Sequence, residues 1–377
     1  MLQLPPAYPG MREDEVDTPA LLVDMDAFEA NLDRMAGLIA PTGAKLRAHA
    51  KTHKSPVIAH WQRARGAIGQ CVQKVAEAEA LVWGGIDNVL VSNQVVGARK
   101  LARFVALAGM AEVAVCVDDI RQVEALETVA AAAGRRVGAL IEIDVGMDRC
   151  GVAPGADAVA LAQRIAGSKQ LIFKGLQAYH GGAQHLRTPD ARQTAIAATV
   201  AYTVQTIEAL RAQGLHCDIV GGGGTGTFEF ELDSGIYTEI QAGSYCFMDA
   251  DYALNRGGKA AGFQHALFVL GTVMSQTRPG SAVVDVGLKA VATDSGMPLV
   301  AAQTGVPEGV TYTGASDEHG KLRWDAGAIG QAVSLGQKLR VIPGHCDPTV
   351  DRYDWYVGVR KGRVEAVWPV AARGGAY

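Results

Sequence analysis

The chain has 377 residues, 49% of them apolar and 20% charged, with a formal net charge of −4. That length suits two domains, or one large α/β barrel with an appendage. The charge excludes nucleic-acid binding driven by counterion release, and no apolar run reaches the 18 or so residues of a membrane span, since the best one, 105–117, is broken by Glu112.

Six cysteines stand singly along the chain, with no CxxC. This reads as reduced thiols, and not as a disulfide framework or a zinc knuckle. The opening MLQLPPAYPGMREDE lacks the charged-then-apolar order of a secretory signal. A cytoplasmic location is expected.

Residues 1–17 are rich in proline and acid and are expected to wrap a surface. An alternation follows. Short β-branched runs occur at 20–25 (ALLVDM), 44–51, 69–73, 88–93, 113–118, 137–145, 173–180, 217–222 and 239–245, separated by Ala-rich segments with helical spacing. One such segment, 26–39, sets Phe28, Leu32, Met35 and Leu38 on one face; another spans 190–213. Strand–helix alternation predicts a parallel sheet covered by helices. Nine runs are one too many for an eight-stranded barrel. After about residue 262 the texture changes to apolar–polar alternation with turns at RPG, DSG, DEHG and RKGR, which predicts antiparallel strands.

In an α/β barrel the strand C-termini carry the site. Those ends offer Lys51, Gln73, Asn93, Asp118, Asp144 with Arg149, Tyr179-His180, GGGGTG at 221–226 and GSY at 243–245. Successive N–H groups without side chains form an anion-binding nest, so GGGGTG suits a phosphate; a flexible turn is the plainer reading. In RAHAKTHK (47–54), Lys51 stands among His49, His53 and Lys54. A lysine among cations and partly out of water becomes a nucleophilic amine able to form a Schiff base, whereas a solvated basic patch is the commoner fate of such a run. In GHCDP (344–348), His345 and Asp347 would face one side of a strand and could share a cation, with Cys346 pointing away; the alternative is a simple turn before Pro348.

These motifs, in this order, resemble the fold-type III pyridoxal-phosphate enzymes, in which an alanine-racemase-like barrel is joined to a β domain. Within them the chain is similar to the metal-dependent D-threonine aldolase, 3-hydroxy-D-aspartate aldolase and D-serine dehydratase group. The likeness runs from DTPALLVD at 17–24 through HAKTHK, VDVGMDRCGV, LQAYHGGAQH, GGGGTGTFEFE and SDEHG to IPGHCDPTVDRYDWYVGVRKGRVEAVWPVAARG. It implies an α/β fold with a (β/α)8 barrel over 26–262, and a mainly antiparallel β domain from 1–25 and 263–377 that carries the metal-site residues. The first extended run then lies outside the barrel.

The resemblance also implies roles. Lys51 would carry pyridoxal 5′-phosphate. Gly223, Gly224, Thr225, Gly243, Ser244 and Tyr245 would cradle its phosphate. Gln73 and Tyr179 would line the cofactor, and Arg149 would face its ring nitrogen. His345 and Asp347 would hold a divalent metal, with Mn²⁺, Mg²⁺ or Co²⁺ favoured over Zn²⁺ because the family dehydratases carry cysteine where this chain has Asp347. His185 is a candidate base, or a residue that supports the site from behind, or an ordinary loop histidine; Asp317 and His319 are candidate substrate contacts or a β-turn. The implied activity is cleavage of a D-3-hydroxy amino acid, D-threonine or 3-hydroxy-D-aspartate, to glycine and an aldehyde by a homodimer. A dehydratase giving keto acid and ammonia is the alternative, and a cofactor-carrying protein without turnover is a third reading.

Overall fold

In the computed structural model, which describes residues 3–302 and 305–377, the nine apolar runs divide into one and eight. The first, β1 (Ala20–Asp24), lies in a separate sheet. The others close a parallel barrel: β2 (Lys45–His49), β3 (Gly69–Val72), β4 (Asn88–Gln94), β5 (Glu112–Val117), β6 (Val137–Glu142), β7 (Leu171–Gln177), β8 (Ile219–Gly222) and β9 (Glu239–Ile240). Helix α1 (Met25–Ile39) precedes the barrel. α2 (Pro56–Arg63), α3 (Val75–Trp83), α4 (Ala98–Leu107), α5 (Ile120–Ala132), α6 (Ala156–Ala166), α7 (Pro189–Ala212) and α8 (Phe228–Asp233) connect its strands.

Local chemistry sets these elements. Asp119 caps α5 by accepting from the Arg121 N–H, and Thr188 caps α7 with Pro189 at the first helical position. Strands covered on both faces read as unbroken apolar runs; β3 and β6 are buried throughout. Cys71, Leu90, Cys116 and Leu140, one from each of β3 to β6, form a buried cluster. Both thiols there behave as small hydrophobes, and burial pushes their ionisation up. The closing seam between β2 and β9 has only two paired positions, Lys45 with Glu239 and Leu46 with Ile240. A buried fork from Arg47 to both Glu239 oxygens (2.7 and 2.8 Å) spans that seam.

The chain forms two compact units. The barrel unit comprises Leu32–Gly243, Asn255–Gly262 and Gly374–Tyr377. The β unit comprises Met1–Asn31, Ser244–Leu254 and Phe263–Arg373. In the β unit, β1 lies between β10 (Leu267–Arg278), to which it is antiparallel, and β16 (Trp355–Arg360), to which it is parallel. From β10 the sheet continues through β11 (Ser281–Val284) and β14 (Gly320–Arg323) to β13 (Thr311–Ala315); β15 (Lys338–Ile342) also pairs with β10 and carries β12 (Leu299–Val300). On the other side β16 turns at Lys361-Gly362, both with positive φ, into β17 (Arg363–Pro369). Residues 3–17 run along this unit: Gly10 N–H donates to Val364 O, and Arg12 bridges Arg363. Among the described residues no helix is long and apolar enough to cross a membrane.

Candidate active site

The barrel strands end in the residues that the sequence singled out. Lys51 follows β2 in a tight turn in which Ala50 O accepts from the N–H groups of His53 and Lys54. The run around it is not a solvated basic patch. His49, Thr52 and His53 are buried, and Lys54 Nζ pairs with Glu77 at 3.3 Å. That pair corrects one argument: Lys54 is neutralised and does not add bare positive charge beside Lys51.

The His49 ring ties three strand ends together. Its Nδ1 is 3.4 Å from the Lys51 backbone N, and its Nε2 is 2.9 Å from the Gln73 amide and 3.2 Å from the Ser92 hydroxyl. Sequence reading named Gln73 but not Ser92 at the end of β4; the polar NVLVSNQ ending was the available signal.

Around the barrel, Glu142 at the end of β6 is buried, which pushes its carboxyl up against the opposing Gln94 hydrogen bond and nearby Arg149. The Arg149 guanidinium lies 3.7 Å from Glu142 and 5.8 Å above the Tyr179 ring centre, so the structure brings Arg149 and Tyr179 together. Asp144 and Asp118 tie down the loop that carries Arg149. Asp144 Oδ1 accepts from Gly146, Met147 and Asp148, and Asp118 Oδ2 accepts from Gly151. His185 ends a 3₁₀ turn, Gly182–His185, and is exposed. Burial lowers the pKa of the neighbouring His180.

The glycine run fits a phosphate. The amides of Gly223, Gly224 and Thr225 donate to no protein group among the described residues. The Thr225 hydroxyl is buried and also lacks a protein partner. Gly223 has φ +74°, which favours glycine, and a Cβ on Gly224 would sit 2.4 Å from Gln184 Oε1. A Cβ on Gly243 would sit 2.7 Å from both His49 O and Thr52 Oγ1, another buried hydroxyl without a protein partner. Three successive N–H donors and a hydroxyl are what an anion needs. Ser244 and Tyr245 follow Gly243 in the chain but pack in the β unit, with Tyr245 buried 5.7 Å from the Phe263 ring.

In the β unit, His345 and Asp347 do meet, with Nε2 and Oδ2 4.0 Å apart, but not on a strand. His345 is the extended residue just before a short helix, Cys346–Val350, and Asp347 lies in that helix's first turn. Cys346 is buried; its N–H donates to Asp249 Oδ2 (3.1 Å) and its thiol faces Met248 O.

Sequence reasoning missed Asp294, whose Oδ2 lies 2.8 Å from His345 Nδ1. A carboxylate only accepts, so Nδ1 carries the proton and Nε2 keeps its lone pair for a cation. Gly344 permits this approach, since a Cβ there would lie 2.4 Å from Gly296 O. No group of three or more His, Cys, Asp or Glu side chains able to hold a metal occurs among the described residues. Any cation held by His345 and Asp347 would have to complete its shell with other donors or water. Asp317 and His319 are exposed in the β13–β14 hairpin turn, in which Ser316 N–H donates to His319 O.

Comparison with known proteins adds to this geometry. Residues 23–251 match the model for the alanine racemase N-terminal domain, and 266–359 match a putative serine dehydratase domain. The chain is 44% identical to a 3-hydroxy-D-aspartate aldolase from Paracoccus denitrificans (strain Pd 1222), over 99% of this chain and 96% of that protein. A solved D-threonine aldolase from Filomicrobium marinum superposes with a TM-score of 0.95 at 48% identity, covering 99% of this chain and all of the other. A D-threo-3-hydroxyaspartate dehydratase from a Delftia species is more distant, at 32% identity over 90% of this chain and 93% of that protein.

Proposed function

The chain belongs to the family in which an alanine-racemase-type barrel is joined to a serine-dehydratase-type domain, and from that premise we propose a pyridoxal-phosphate- and divalent-metal-dependent aldolase acting on D-3-hydroxy amino acids. D-threonine would give glycine and acetaldehyde, and 3-hydroxy-D-aspartate would give glycine and glyoxylate. The observation that carries the choice is the donor set. His345 and Asp347 offer nitrogen and oxygen, and the sulfur of Cys346, the residue between them, is buried against Met248 O. Oxygen in place of sulfur favours Mn²⁺, Mg²⁺ or Co²⁺ over Zn²⁺. The dehydratase alternative uses the same fold but would eliminate the hydroxyl.

Bound, the cofactor supplies an electron sink and the cation a Lewis acid that makes the 3-hydroxyl more acidic. The protein supplies the rest. Lys51 would hold the cofactor covalently. Gly223, Gly224 and Thr225 would bind its phosphate through N–H and O–H donors, with Gly243 of the same unit as a further member of the cradle. Gln73, fixed by His49 and Ser92, and Tyr179, covered by Arg149, line it. Arg149 can only donate hydrogen bonds, so it favours an unprotonated ring nitrogen and limits charge build-up at the substrate Cα. His185 is the candidate among the protein's side chains to take the hydroxyl proton as the Cα–Cβ bond breaks and the aldehyde leaves, and Cα would then gain a proton in place of the lost carbon to give glycine. A homodimer working in the cytoplasm belongs to the same proposal.

Product identification tests this reading. With added Mn²⁺, D-threonine or 3-hydroxy-D-aspartate is expected to yield glycine plus aldehyde in equal amounts; keto acid plus ammonia would instead select the dehydratase. Asp294 supplies a separate check. Asp294→Ala is expected to weaken Mn²⁺ binding about 10–100-fold, the usual cost of losing a carboxylate behind a ligating histidine. Electron-paramagnetic titration of free Mn²⁺ reads this directly, and an unchanged affinity would remove Asp294 from the metal site.

A further inference from the structure

Beneath the glycine loop of the barrel unit lies a carboxyl for which the proposed reaction has no use. Gln184 Nε2 donates to Thr227 Oγ1 (2.7 Å), and that hydroxyl donates to Glu231 Oε1 (2.8 Å). Gln184 Oε1 in turn accepts from Gly226 N–H at 3.0 Å. One buried chain thus joins the turn that ends in His185, the glycine loop and helix α8. Glu231 is 1% exposed, and its Oε2 has no hydrogen-bond partner among the described residues. A Cβ on Gly223 would lie 3.4 Å from the Glu231 carboxyl carbon, so the loop backbone rests directly on this group.

The surroundings offer Glu231 no countercharge. Glu229, on the same helix, adds negative charge. The Glu229 carboxylate accepts from Lys259 N–H, and the charge of Arg192 on α7 acts on Glu229. Tyr237 keeps its phenolic proton, which it donates to Ala178 O. No cation pairs with Glu231 among the described residues. Burial accordingly pushes its carboxyl up to about 7, against the opposing Thr227 hydrogen bond.

We propose that Glu231 is a positioning residue for the cofactor phosphate: lying under the Gly223–Thr225 loop and tied to it through Thr227, it has to be a neutral acid for the loop to accept a phosphate, so that anchoring the phosphate is linked to holding one proton. The physical reason is like-charge repulsion across one layer of backbone, where little water screens it. This inference rests on the reading that the loop binds the cofactor phosphate.

The test compares the affinity of the full-length protein for pyridoxal 5′-phosphate with that for pyridoxal, between about pH 6 and about pH 8.5, a range that brackets the acid's titration. Both aldehydes share the Lys51 chemistry, so their ratio isolates the phosphate. In the wild type this advantage is expected to fall about tenfold as pH rises, the effect of one linked proton. The phosphate's own second ionisation, near 6, acts in the opposite direction and is common to every variant. In Glu231→Gln the fall should vanish. A phosphate advantage that is flat with pH in the wild type, or a fall that persists in Glu231→Gln, overturns the inference. Absence of any phosphate advantage overturns the underlying reading instead. Should Glu231→Gln fail to fold, Thr227→Val removes the bond that favours ionisation and is expected to move the midpoint of the fall to higher pH; an unmoved midpoint counts against the proposal.

Discussion

Lys51→Ala is expected to give a folded, colourless protein whose cleavage activity has dropped by at least about four orders of magnitude, the scale seen when a covalent catalytic group is removed. The turn that presents Lys51 is held by backbone bonds from His53 and Lys54 to Ala50 O, which do not involve the lysine side chain. The buried neighbours Ala48 and Ala50 are untouched. The circular dichroism spectrum should therefore match the wild type while the yellow absorbance of bound cofactor disappears. Lys54→Ala is the control. Its amine pairs with Glu77, so colour should persist there. Partial recovery of Lys51→Ala by a small added amine would locate the loss in the amine itself. Retained colour in Lys51→Ala would end the assignment.

Asp347→Ala separates the two proposed cofactors. It should keep the yellow colour, because none of the barrel residues assigned to the cofactor is altered, and lose metal-stimulated cleavage. The affinity for Mn²⁺ should fall by more than the roughly 10–100-fold expected for Asp294→Ala, since a direct ligand is lost. EDTA treatment of the wild type should mimic the variant, and added Mn²⁺ should restore only the wild type. Full metal dependence in Asp347→Ala would refute the ligand assignment.

Much of the barrel was legible because strands buried on both faces read as short apolar runs and the connecting helices repeat between them. Strand ends were less so. The run 239–245 was expected to be one strand, but β9 stops at Ile240 and the chain turns into a 3₁₀ segment at Ser244–Cys246. His345 and Asp347 were paired for the wrong reason. Pro348, tolerated in the first turn of a helix and awkward in a central strand, was the sign that a helix begins there. Asp294 was out of reach because its partner lies far along the chain, and DSG read locally as a turn. Ser92 meets His49 only when three strand ends converge, and no sequence spacing encodes that convergence.

The central position of β1 has a consequence for how this chain can be made. β1 leaves the ribosome before any barrel strand, yet its two hydrogen-bonding partners, β10 and β16, are translated only after the barrel is complete. Until residue 360 has been translated, β1 lacks one of its two sheet partners, and the apolar ALLV stretch cannot take its full place in the sheet. Trimming an expression clone past residue 20 would accordingly not shorten a loose tail; it would pull the middle plank out of a sheet.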